Sequence, residues 1–309
     1  MSMERIPVWI DTDCGVDDAF AILCALKLPQ LDVKGLSAVA GNAEEEHTFE
    51  NTRNVVSLAG REDVKVYPGA RVPLIRPLIT AVKVHGVDGL NGAKIPASRA
   101  AAETTPAWDA LYECALANDG KLELILLGPQ TNAAVAFRKH PDLKDHLHRI
   151  LIMGGAAIGG NFTPAAEFNI LVDPQAAEIV FQTGMDIVMC GLDVTNQSTI
   201  SRSQIEELSA HDSDVCRFFR DSTGNYIAYE GVDGYVNHDA NPIFYAAMPQ
   251  LFTGGKAGVH VETRGPLTMG KTVTDLYTDK KFDVRNVLVV TGIDRKAFTE
   301  EFVRILEEY

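Results

Sequence analysis

The stretch from Pro7 to Leu26, PVWIDTDCGVDDAFAILCAL, decides how the rest of the 309-residue chain is read. Val8, Trp9 and Ile10 form an apolar run with a β-branched residue at each end, which predicts a buried strand. Phe20, Ile22, Leu23 and Leu26, with Ala19, Ala21 and Ala25 between them, predict a helix that stops at Pro29. Between strand and helix lie Asp11, Asp13, Asp17 and Asp18, together with the flexible Gly15. Four like charges in one strand-to-helix turn repel one another unless something positive joins them. A hard divalent cation with oxygen ligands, Ca²⁺ or Mg²⁺, answers that need. The helix N-terminus adds partial positive charge. The plainer reading is a solvated acidic turn in which Asp17 or Asp18 caps the helix.

Outward from this stretch, apolar runs alternate with amphipathic ones. Strands are predicted at 33–39, 64–67, 122–127, 150–153 and 187–190, with helices at 43–59, 106–117, 131–139 and after Asp173-Pro174. The run at 122–127 is almost purely apolar, as in a strand buried on both faces. Glu44, Glu45 and Glu46 read as a solvated first turn that complements the helix dipole. Residues 70–105 form a long irregular segment containing VHGVDGLNG at 84–92, read as a lid or rim. From about Ile200 the chain turns helical, with a helix at 214–229, late strands at 259–262 and 284–290, and a final helix at 295–308. The pattern predicts an α/β fold: one domain over 1–309, a mostly parallel, doubly wound, Rossmann-like sheet flanked by helices. No repeat or linker-like stretch divides it.

The net charge of −14 argues against a nucleic-acid partner, which wants a basic face. Nor does it offer a basic stripe for a membrane surface. No run approaches 18 apolar residues, and MSMERIPV lacks a signal-type apolar core. Five cysteines, odd in number and without metal-type pairing, suit reduced thiols in the cytoplasm.

Ligands of open α/β sheets bind outside the carboxyl ends of the strands. The suspicious polar residues fall there: Asp11 and Asp13, Asn42, the Leu127-Gly128 corner, Met153, and then Asn161, Glu167 and Asn169 in the following loop. A charge at Glu167, between Ala166 and Phe168, is costly without a partner.

DTDCGVDDA at the start, GN at 41–42, LLGPQTN at 126–132, LIMGG at 151–155, GNFTPAAEFNILVDPQAA at 160–177 and NHDA at 237–240 together resemble the nucleoside hydrolases, the calcium-dependent N-ribohydrolases. The resemblance runs from residue 8 to about residue 250. Cys14 departs from the pattern, standing where the family usually has proline. The resemblance implies hydrolysis of the N-glycosidic bond of ribonucleosides in purine or pyrimidine salvage, by a cytoplasmic homotetramer or homodimer. It implies Ca²⁺ held by Asp13, Asp18 and Asp239 and by the Leu127 carbonyl, with Asp13 also the general base on a metal-bound water. Asp17 would hold a ribose hydroxyl, joined by Asn42, Met153, Asn161, Glu167 and Asn169. His238 would protonate or steer the leaving base, with His85 and Tyr229 as further base contacts.

The chemistry has its own logic. Glycosidic cleavage passes through an oxocarbenium-like state that nearby carboxylates stabilise, and amide side chains suit neutral hydroxyls. Plainer readings stand beside these. His238 alone would be a loop histidine, Tyr229 a core aromatic, and Phe162 and Phe168 packing residues. Two other functions share the fold: a haloacid dehalogenase-type phosphatase, whose Asp-x-Asp spacing Asp11 and Asp13 imitate, and a non-catalytic nucleoside- or ribose-binding module.

Overall fold

The structure is a computed structural model that describes residues 5–230, 233–276 and 281–309. Its centre is a nine-stranded sheet. In chain order the strands of the molecule are β1 Ile6–Thr12, β2 Leu31–Ala38, β3 Val66–Tyr67, β4 Leu122–Leu126, β5 Leu147–Met153, β6 Ile187–Cys190, β7 Thr199–Ile200, β8 Tyr235–Val236, β9 Phe252–Val261, β10 Thr272–Asp275 and β11 Val287–Ile293. The large sheet runs β10-β9-β11-β6-β5-β4-β1-β2-β3, and β7 pairs with β8 apart from it. From β11 to β3 every pairing is parallel, whereas β9 and β10 add an antiparallel edge. The α/β reading of the sequence therefore holds.

Alternation along β1 sorts its side chains between two apolar layers. Val8 and Ile10 join the layer that holds helix Val16–Lys27, helix Ala240–Ala247 and helix Arg295–Glu307. Trp9 points the other way, into the layer of helices Ala107–Ala117, Thr131–Lys139 and Pro174–Phe181. β1 lies between β2 and β4, so chain connections diverge at its carboxyl end. That divergence opens the crevice in which α/β proteins bind ligands.

Three expectations need correction. The strand read at 259–262 begins at Phe252, because the exposed TGGK stretch that follows Phe252 is held by backbone pairing with β11 rather than by apolar side chains. β10 was absent from the sequence reading; its TVTD sequence carries no apolar run. Glu45 is buried rather than solvated. Its carboxylate accepts the Gly69 N–H and pairs with Arg71, tying the helix Glu45–Leu58 to the segment after β3.

Candidate active site

The carboxyl ends of β1, β4 and β5 open on a cavity of about 590 Å³. Asp17, Asn42, His85, Leu127, Met153, Asn161, Glu167, Asn169, His238 and Asp239 all line it. These residues come from seven separate stretches of chain, and the fold brings all of them to one place. Thr80, Lys83, Phe162, Phe168 and Tyr226 are also part of the wall.

At its floor, carboxylate oxygens of Asp17, Asp18 and Asp239 lie within 4.8 Å of one another, all three side chains buried. The expected metal set paired Asp18 and Asp239 with Asp13; the mutual trio contains Asp17 instead, with Asp13 beside it. Asp13 is fully buried and its carboxyl is held well above the usual range, first by burial and then by the charge of Asp18. Its Oδ2 accepts the Asn42 N–H at 2.7 Å, and its Oδ1 is buried with no hydrogen-bond partner among the described residues. Burial likewise raises Asp18 and Asp239. Asp18 accepts from Gly15 N at 2.9 Å, Asn42 Nδ2 at 3.0 Å and Thr12 Oγ1 at 2.5 Å. Asp18 thus caps its own helix and faces the cluster at once, so the capping and clustering readings are compatible.

Four buried carboxylates with one orphaned oxygen fit a hard divalent cation. The donors are all oxygens, and no thiolate or imidazole stands among them. Two glycines make the close approach possible. A Cβ at Gly128 would stand 2.6 Å from Asp13 Oδ1, and one at Gly41 would collide with Asp13 Oδ2.

Asp11, the fourth aspartate of the turn, belongs elsewhere. It accepts from Ser37 Oγ and from Asn132 Nδ2, and burial pushes its carboxyl up to about 7.

The loop after β5 builds a wall of amides. Glu167 caps the short helix Phe168–Val172, accepting from Gly155 N and Asn169 N at 2.9 Å and from Ile170 N at 3.2 Å. These N–H groups are the partners that the buried Glu167 requires. Asn169 Nδ2 reaches the Leu127 carbonyl at 2.7 Å, and Asn161 Oδ1 accepts from Phe168 N at 3.0 Å. On the other rim, residues 82–85 form a single helical turn that buries His85. Burial, with the neighbouring His238, lowers the His85 imidazole to about 3, and burial alone lowers His238 to about 4. Tyr226, overlooked in the sequence, reaches Asp17 Oδ2 at 3.4 Å and packs edge-on against His85 with ring centroids 5.5 Å apart. Tyr229 lies on the same helix, Asp214–Glu230, but its side chain is outside the described residues.

Among the described residues no helix is long and apolar enough to cross a membrane. The five cysteines are free.

Sequence and fold are similar to those of known proteins. Over residues 8–300 the sequence matches the family described as inosine-uridine preferring nucleoside hydrolase. It is 40% identical to the pyrimidine-specific ribonucleoside hydrolase RihA of Citrobacter koseri, covering 98% of this chain and 99% of that one. RihA of Salmonella enteritidis is 39% identical over the same shares. Among solved structures, a plant nucleoside hydrolase, PpNRh1, aligns with a TM-score of 0.93 at 32% identity, over 99% of this chain and 100% of that one. The purine-preferring ribonucleoside hydrolase of Gardnerella vaginalis aligns with a TM-score of 0.92 at 32% identity, over 98% of each chain. With a family match over residues 8–300 and relatives of that activity covering nearly its whole length, the chain belongs to the inosine-uridine preferring nucleoside hydrolases, enzymes that cleave N-glycosidic bonds.

Proposed function

We propose that the protein hydrolyses pyrimidine ribonucleosides to ribose and free base, with Asp13 as general base and Ca²⁺ as its metal. The observation that carries this reading is the buried Oδ1 of Asp13, without a hydrogen-bond partner among the described residues, beside the trio of Asp17, Asp18 and Asp239. A carboxyl held above its usual range binds a proton more tightly than a free carboxylate, as a general base requires. Asp13 takes the proton of the attacking water, while the Asn42 N–H on Oδ2 fixes which oxygen is free. Asp13, Asp18 and Asp239, with the Leu127 carbonyl, would hold the cation. When bound, it supplies charge that orients ribose diols and lowers the pKa of water.

Asp17, Asn42, Asn161, Glu167 and Asn169 hold the sugar, and the carboxylates of Asp17 and Glu167 stabilise the developing oxocarbenium charge. Asp17 can serve both roles that its position allows, since it belongs to the trio and lines the cavity. His238 protonates or steers the leaving base, His85 stands beside it in the cavity wall, and the family resemblance adds Tyr229 as a further base contact. The pyrimidine preference rests on the RihA relatives. Cytoplasmic salvage fits the free thiols, and a homotetramer or homodimer follows from the family resemblance. The family match leaves no support for the phosphatase or the pure binding module.

The deciding experiment is a nucleoside panel (uridine, cytidine, inosine, adenosine, guanosine) read for free ribose in Ca²⁺. Uridine and cytidine should be cleaved fastest. Equal or faster purine cleavage would overturn the pyrimidine assignment, and no ribose from any of them would overturn the activity.

A further inference from the structure

His238 is not held in the cavity by its own loop alone. Its Nδ1 lies 2.8 Å from Thr195 Oγ1, and both side chains are buried. The Thr195 hydroxyl has no other hydrogen-bond partner among the described residues. We propose that Thr195 is the positioning residue for His238. By occupying Nδ1 it fixes the ring plane and leaves Nε2 as the nitrogen that meets the leaving group.

The support behind Thr195 is a continuous hydrogen-bonded frame. It ends the turn Leu192–Thr195, which follows directly on β6. Its N–H bonds the Gly191 carbonyl at 3.0 Å, and its own carbonyl accepts Ser198 Oγ at 2.6 Å. Ser198 Oγ also lies 3.1 Å from the Asn237 carbonyl, and Asn241 Nδ2 donates to both Ser198 Oγ and the His238 carbonyl at 3.0 Å. Thr195 and His238 are therefore held on one hydrogen-bonded frame, side chain to side chain and backbone to backbone. The same turn reaches the sugar side. Leu192 N donates to the Gly155 carbonyl at 2.9 Å, and the Asp193 carboxylate accepts from Ala157 N at 2.7 Å and Ile158 N at 3.2 Å. Gly155 N in turn holds Glu167. One short turn thus sets the separation between the leaving-group histidine and the ribose loop, and a misplacement of about 1 Å can cost on the order of 10²-fold in rate.

The proposal rests on His238 acting at the leaving group, so the test separates the two ideas. Thr195→Val keeps the buried shape and removes the hydroxyl, and Thr195→Ser restores it. Each is assayed with uridine and with nitrophenyl riboside, whose leaving group needs no proton, beside His238→Ala and the double variant Thr195→Val/His238→Ala. We expect Thr195→Val to lose about 10- to 10²-fold in kcat on uridine with little change on nitrophenyl riboside. Thr195→Ser should recover most of that loss. The double variant should be no slower on uridine than His238→Ala, because residues acting as a unit are non-additive. Additive losses, or a Thr195→Val enzyme as fast as the parent on uridine, would overturn the proposal. Equal losses of His238→Ala on both substrates would overturn the leaving-group role of His238 itself. Non-additivity in the double variant would still carry the Thr195–His238 coupling in that case, and additivity would end it.

Discussion

The Nδ1 of His85 accepts the backbone N–H of Val16 at 3.0 Å, across 69 residues of chain. A backbone amide can only donate, so this nitrogen carries no proton and the imidazole N–H sits on Nε2. The ring closes the N-terminus of the helix Val16–Lys27 and presents a donor to its surroundings. Protonation would break the bond, which agrees with an imidazole lowered to about 3 by burial.

This has a measurable consequence for acid stability. His85 holds its proton more weakly folded, at about 3, than unfolded, where an ordinary imidazole titrates near about 6.5. Between those values the unfolded chain binds more protons, so stability falls as pH drops through that window. His85→Asn removes this contribution. Its Tm should fall less steeply than the parent's between pH 6.5 and 5, and parallel slopes would refute the assignment.

Asp13→Ala should cut ribose release from uridine by at least about 10²-fold, the usual scale for losing a positioned base. The circular dichroism spectrum should stay that of the parent. A folded variant with near-normal turnover would reject Asp13 as base.

Gly41→Ala and Gly128→Ala should each mimic that loss without touching a polar group. A Cβ at either position intrudes on the Asp13 carboxylate, which must shift or the backbone must give. Activity should drop sharply while the secondary structure persists. Full activity in both would mean that the carboxylate is free to move.

Chelation should lower the melting temperature, and Ca²⁺ should restore it better than Mg²⁺ or Zn²⁺. A ligand that binds only the folded state adds about 2.7 kcal/mol at a hundredfold excess over its Kd. Differential scanning fluorimetry across these ions decides it. A Tm indifferent to chelator, or rescued best by zinc, would remove Ca²⁺ from the site.

Glu167→Ala should weaken both fold and sugar binding. It strands the N–H groups of Gly155, Asn169 and Ile170, and each unsatisfied buried donor costs about 1–3 kcal/mol. KM for uridine should rise together with a lower Tm. A rise in KM at unchanged Tm would restrict Glu167 to ligand contact.

The first strand, its acidic turn and the alternation behind it were legible in the sequence because each rests on neighbours in the chain. Val8 and Ile10 declare a strand, and the Glu167–Asn169 loop declares its burial by setting charge and amide among apolar residues. Contacts between distant segments leave no such trace. Tyr226 reads as one more apolar face residue of its helix, yet its hydroxyl meets Asp17 from 209 positions away. Thr195 is an ordinary threonine after a strand until His238 arrives beside it. Glu45 looks like a surface charge because its partner, the Gly69 N–H, belongs to a loop whose path no local pattern describes. The edge strands β9 and β10 were obscured for the opposite reason: their bonds are made by backbone, which every residue shares.

The carboxylate trio draws two members from residues 17 and 18 and the third from residue 239. As the chain emerges from a ribosome, N-terminal end first, the early strands can pair and bury apolar surface long before residue 239 exists. During that interval the two early aspartates have neither their third companion nor the segment that shields them from water. The carboxylate cluster is therefore complete only late in synthesis, and a nascent chain arrested before Asp239 should carry most of the sheet's parallel core yet hold a cation more weakly than the finished chain.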